Sequence, residues 1–188
     1  MERRFDWASP SSRVVLSAAL DALSEVGYEG LTLAEVRARA GTAGALVEEA
    51  DLVEVVVTAL EAVRVFPSAE PTGDLRADLA ALVRPWLARR GRDERAVAAV
   101  LSAAEWEPRI KQAVVQAFDR PLAQALGTLL AGAVADGRVA ASRVHTLNWI
   151  LRGLALDRMR AANPRCPVDL DELVDHLVAG LGPEQLPA

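Results

Sequence analysis

Residues 15–41 read VLSAALDALSEVGYEGLTLAEVRARAG, and the fold class follows from where the apolar residues fall in this stretch. Leu16, Ala19, Leu20 and Leu23 recur at intervals of three and four, which gathers them on one face of an α-helix. Just upstream, Ser9 is a natural N-cap and Pro10 a first helical residue whose missing N–H costs nothing. Gly27 tolerates the left-handed conformation that commonly ends a helix. The spacing therefore predicts a helix over about Pro10 to Val26. Thr32-Leu33-Ala34-Glu35 then matches a capping box, in which a hydroxyl and a carboxylate satisfy free N–H groups at a helix start. A short second helix is expected to end near Ala40-Gly41. Thr42 caps a third through about Val47, and Asp51 a fourth with Leu52, Val56, Ala59 and Val63 as its buried stripe.

The remainder has the same character. Ala- and Leu-rich runs with helical periodicity are expected to form helices near residues 74–90, 94–104, 107–116, 120–135, 142–161 and 169–181. No segment alternates apolar and polar residues between hairpin turns, so the expectation is an all-α protein. Pro67-Ser68-Ala69-Glu70-Pro71-Thr72-Gly73 is the clearest linker, and the domain boundary is placed there.

Composition sets further bounds. With 188 residues, 52% of them hydrophobic, the chain can bury a core and is too apolar for disorder. No run approaches the ~18 apolar residues of a membrane span, and Met1-Glu2-Arg3-Arg4-Phe5-Asp6-Trp7 lacks a signal peptide's apolar stretch. A cytoplasmic protein is expected. The single cysteine, Cys166, makes neither an internal disulfide nor a cysteine metal cluster. His145 and His176 lie outside any metal-binding spacing, Cys166 has no neighbouring base, and no Gly-rich phosphate loop follows a strand. No catalytic or metal site and no cofactor is expected.

Charge is unevenly divided. Residues 1–66 hold six basic and eleven acidic side chains, whereas residues 67–188 hold fifteen of each, so the whole net charge of -5 lies in the first third. From Ala40 to Ala62 there is no Arg or Lys, against Glu48, Glu49, Asp51, Glu54 and Glu61. Acidic residues there suit the start of a helix, where the dipole favours them.

The Ala-Ala-Leu helix (Ala18-Ala19-Leu20), the connection Gly27-Tyr28-Glu29-Gly30-Leu31-Thr32 and the Val36-x-x-x-Ala40-Gly41 run together resemble the DNA-binding domain of the tetracycline-repressor (TetR) family of bacterial regulators. The later run Arg152-Gly153-Leu154-Ala155-Leu156-Asp157-Arg158, followed by a last Leu/Val helix, resembles that family's ligand-binding and dimerisation domain more diffusely. The resemblance implies a helix-turn-helix domain over residues 1–50, a connecting helix over 51–66, and a ligand-binding and dimerisation bundle over 67–188. It also implies a homodimer that binds operator DNA and is released by a small molecule. The alternative is a degenerate member that no longer binds DNA and acts as a small-molecule or protein-binding dimer. After Gly41 the chain departs from the family pattern: Gly44 and Leu46 fit, Val47 stands where a tyrosine is expected, and the following aromatic and lysine are absent.

Residues that would carry DNA contacts are Arg13, Thr32, Arg37, Arg39 and Thr42, with Gly44 allowing close approach. Trp86, Trp106, Trp149 and Phe118 are candidates to line a pocket for an apolar or aromatic effector, or else pack the core. The apolar stripes Leu147, Ile150, Leu151, Leu154, Ala155 and Leu170, Leu173, Val174, Leu177, Val178 offer either an intermolecular four-helix bundle or closure of the monomer's own core.

Overall fold

Helices α1 (Pro10–Val26), α2 (Leu33–Ala40), α3 (Leu52–Glu61), α4 (Leu75–Val83), α5 (Arg92–Val100), α6 (Pro108–Val114), α7 (Arg120–Ala135), α8 (Ala141–Arg160) and α9 (Leu170–Ala179) make an all-α fold. This computed structural model describes residues 7, 9–47, 51–66, 68, 70–87, 90–160 and 169–182. Glu48, Glu49 and Cys166 lie outside the described residues.

Local sequence explains most helix starts. The Ser9 hydroxyl accepts from the Ser12 N–H at 3.2 Å, and α1 ends at Gly27, whose N–H bonds the Leu23 carbonyl. Asp51, Asp74 and Asp169 cap α3, α4 and α9 through their carboxylates. Two expected helices are continuous in the structure: α6 passes through a π-helical turn, Val115–Asp119, directly into α7. The expected third α-helix is a 3₁₀ segment, Gly41–Val47.

The described residues group into two compact units, Met1–Val65 with Gly91–Phe118 and Phe66–Arg90 with Asp119–Ala188. Residues 91–118 follow the Pro67–Gly73 linker in sequence but pack with the residues before it. The reason lies on α1, which packs against α2, α3 and α5. Its Ala18, Ala19, Ala22 and Leu23 are buried, as are Ala96, Val97 and Val100 of α5. The Arg95 Nε donates to the Ser24 carbonyl at 3.3 Å and an Arg92 guanidinium nitrogen to the Ser17 hydroxyl at 3.2 Å, so α5 is also held to α1 by polar contacts. Phe118, expected in the second half, is fully buried at the end of this first unit.

In the second unit α4 packs on α7 and α9, and α7 on α8. Asp78 is buried and accepts from the Thr72 N–H at 3.0 Å and the Thr72 hydroxyl at 2.7 Å, which fastens the entry of α4. Arg158, also buried, donates to the Trp86 carbonyl. Of the last two apolar stripes, Leu147, Leu151, Ala155, Val174 and Leu177 are buried within the monomer, whereas Ile150 and Leu154 are exposed.

Candidate nucleic-acid interface

Gly41 has φ of 58°, which few L side chains adopt, and lets the chain pass from α2 into the 3₁₀ segment without an intervening turn. With three residues per turn, Gly44 and Val47 share one face and Thr42 and Ala45 another. Gly44 and Val47 are buried, while Thr42 and Ala45 are exposed. The outward face thus presents one hydroxyl and one methyl group, suited to a thymine methyl or a single hydrogen bond but to no bidentate purine contact.

Gly44 is held there by close approach. A Cβ at this position would stand 2.6 Å from the Arg37 carbonyl oxygen and 2.9 Å from the Arg37 Cα, so only glycine lets the segment lie against α2. This is a packing requirement between two protein segments.

On α2, Thr32 accepts from the Glu35 N–H at 3.1 Å, completing half of the expected capping box. The Glu35 carboxylate is turned to Arg39, whose Nε it meets at 2.7 Å. A second guanidinium nitrogen of Arg39 meets Glu25 at the same 2.7 Å, so one cation is bracketed by two carboxylates. The Glu25 hydrogen bond, followed by that of Glu35, raises the Arg39 pKa above its ordinary value. Arg13, Thr32, Arg37 and Thr42 are exposed, Arg13 on α1 and Arg37 on α2. The i,i+4 spacing of Glu35 and Arg39 is visible in the sequence, but Glu25 lies 14 residues away and is brought in by the α1–α2 corner.

Beside this corner Tyr28 tilts against Trp106 with ring centroids 6.2 Å apart. Burial, then Glu107 and Asp51, push the Tyr28 phenol up. Asp51 also pairs with Arg109 at 3.1 Å, so the acid that caps α3 is partly neutralised from α6. Trp7 donates to Glu54 of α3 at 3.3 Å.

The four aromatic residues expected to line a pocket are divided between the two units. Trp106 (68% exposed) and buried Phe118 belong to the first unit, whereas Trp149 (62% exposed) and buried Trp86 belong to the second. Trp86 packs edge-on against Phe66 at 5.1 Å. A cleft of about 130 Å³ in the second unit is lined instead by Ser68, Glu70, Thr72, Asp78, Leu82 and Leu129 among others. That is below the ~300–1,000 Å³ usual for a small-molecule site.

No family model and no curated protein matches the chain by sequence. One solved structure, a Rhodococcus sp. protein classed as a TetR-family transcriptional regulator, is 18% identical with a TM-score of 0.61, over 92% of this chain and 97% of that one. At that identity the likeness speaks for architecture. The chain has a TetR-like all-helical fold.

Proposed function

We propose that the chain is a homodimeric transcriptional regulator whose first unit grips DNA mainly through the phosphate backbone. The observation that carries this reading is the seat of Gly44 on the Arg37 backbone, which holds the Thr42/Ala45 face outward beside α2. Arg13 and Arg37 place two exposed cations per protomer and Thr32 and Thr42 exposed hydroxyls on this unit, and Arg39 adds a third cation where phosphate replaces Glu25 and Glu35. Exposed ion pairs of this kind are worth only ~0–1 kcal/mol, so phosphate can compete for that guanidinium.

Four phosphate contacts in a dimer predict a log–log salt slope of about −3.6 for binding to the DNA flanking the chain's own gene. Absence of binding at low salt by a folded dimer would overturn the reading. Glu25→Gln with Glu35→Gln removes both restraints on Arg39; the expected result is tighter binding and a slope steeper by about 1.8. An unchanged slope would place Arg39 off the DNA.

A second reading is favoured by the same bracket. With Arg39 neutralised in place and a 3₁₀ segment free of cations, the first unit is suited to a protein contact in place of DNA. The absence of DNA binding in both the native chain and the Gln variant selects it.

An apolar effector belongs to the proposal, and Trp86 is the tryptophan whose interior position suits reporting it. In a Trp7→Phe, Trp106→Phe, Trp149→Phe background, candidate effectors are expected to quench the emission of Trp86. Unaltered emission with every candidate that changes DNA binding would remove Trp86 from the ligand site.

A further inference from the structure

Trp106 stands outward at a corner whose other apolar residues turn in. The Trp106 and Glu107 N–H groups both donate to the Ala103 carbonyl, at 3.2 and 2.9 Å, and Pro108 then opens α6, so the backbone here is held tightly. Ala103 and Ile110, on either side of the corner, are buried, whereas the Trp106 ring is 68% exposed. Tyr28, in the connection between α1 and α2, backs the ring from one side with centroids 6.2 Å apart. Among the described residues the indole N–H has no acceptor. A fixed indole, open on one face and unpaired at its N–H, is a platform that an incoming group can cover.

The charges around the platform define what suits it. In the segments Tyr28-Glu29, Asp51 and Glu105–Arg109, the acids are Glu29, Asp51, Glu105 and Glu107, against the single base Arg109. Two of these acids are fixed by capping: Asp51 accepts from the Val53 N–H at 3.2 Å and Glu107 from the Arg109 N–H at 3.0 Å. Both act on the Tyr28 phenol, which burial first, then Glu107 and then Asp51 push up, so the aromatic pair and the capping acids share one place. Arg109 answers Asp51 at 3.1 Å. Glu29 and Glu105 are exposed and have no ion-pair partner among the described residues. An indole face beside uncompensated carboxylates attracts a cation through both the ring quadrupole and charge.

We infer that Trp106 and Tyr28 form a docking site for an arginine carried on an extended segment of a partner protein, its guanidinium stacked on the indole with the N–H fork toward Glu105 and Glu107. Arginine suits the place better than lysine because its planar group stacks on an aromatic face and still offers donors at its edge to a carboxylate. A segment suits it better than a free small cation because the exposed ring offers a face and not an enclosure. A lone cation there keeps most of its water and gains little, whereas a peptide adds a carbonyl for the indole N–H and apolar atoms against the rings. The acidic excess of the first third of the chain, a hindrance toward phosphate, favours such a basic partner. This docking is independent of whether the first unit binds DNA.

The test is a titration of the isotope-labelled full chain with the peptide acetyl-Gly-Arg-Gly-Arg-Gly-amide, followed by the indole and backbone N–H resonances in two-dimensional NMR. The same peptide with citrulline for arginine keeps the shape and removes the charge. The arginine peptide is expected to move the Trp106 indole resonance along a saturating curve, and the citrulline peptide to leave it in place. Glu105→Gln should weaken binding about threefold. Trp106→Leu, read on the Glu107 backbone N–H, should weaken it about tenfold. Both positions are exposed, and an unmoved Trp86 indole resonance shows that each variant is folded. Equal responses to the two peptides, no response to either at millimolar concentration, or an affinity that both substitutions leave unchanged would overturn the site. Arginine amide binding as tightly as the peptide would overturn the partner segment. DNA binding is measured separately with duplex, so its failure leaves these outcomes as they stand.

Discussion

Gly44→Ala is expected to lower stability by about 1–3 kcal/mol, the usual range for forcing extra atoms into a packed interior. The added methyl would stand 2.6 Å from a backbone oxygen and 2.9 Å from a backbone carbon of Arg37, and no rotamer change relieves a clash with backbone. Either α2 moves or the 3₁₀ segment lifts away from it. Urea unfolding should show a lower midpoint with an unchanged slope if the first unit simply loses stability. DNA binding should fall with it, because Thr42 and Ala45 lose their position. Ala45→Ser is the control: on the exposed face of the same segment it should alter stability by no more than about 0.5 kcal/mol. Equal effects from the two substitutions would mean that the close approach of Gly44 to Arg37 does not hold the segment.

Phe118→Ala should have a larger effect, about 3–5 kcal/mol, because the ring is fully buried at the π-helical turn that joins α6 to α7. Trp106→Ala, on a ring that is 68% exposed and touches Tyr28, should cost no more than about 1.5 kcal/mol. Unfolding followed by tyrosine-sensitive absorbance and by dichroism separates the two. If Phe118→Ala left stability unchanged and weakened only effector binding, Phe118 would belong to the ligand site.

How far the sequence carried these conclusions depends on how local each cause is. The bounds of α1 were legible because Ser9, Pro10 and Gly27 act within a few residues of the backbone groups they satisfy. The same holds for Asp51 and Thr32. The 3₁₀ winding of Gly41–Val47 was not legible, since Thr42 is an equally good cap for an α-helix and the deciding contact is with the Arg37 backbone. The grouping of residues 91–118 with the first unit was hidden for a related reason: prolines and glycines mark where the chain bends, while the side chains of α1 and α5 decide what packs together. On α8 the apolar residues surround much of the helix, so no pattern could divide buried Leu147 and Leu151 from exposed Ile150 and Leu154. The charge deficit was legible as a total, but its meaning for Arg39 required Glu25, which belongs to another helix.

The 3₁₀ winding also bears on length. At about 2.0 Å of rise per residue against 1.5 Å for an α-helix, seven residues reach as far as roughly nine α-helical ones. Gly41–Val47 therefore spans with seven residues about the distance that nine α-helical residues would cover. Two residues inserted near Ala45 would give the segment the length to cover the same distance at α-helical pitch.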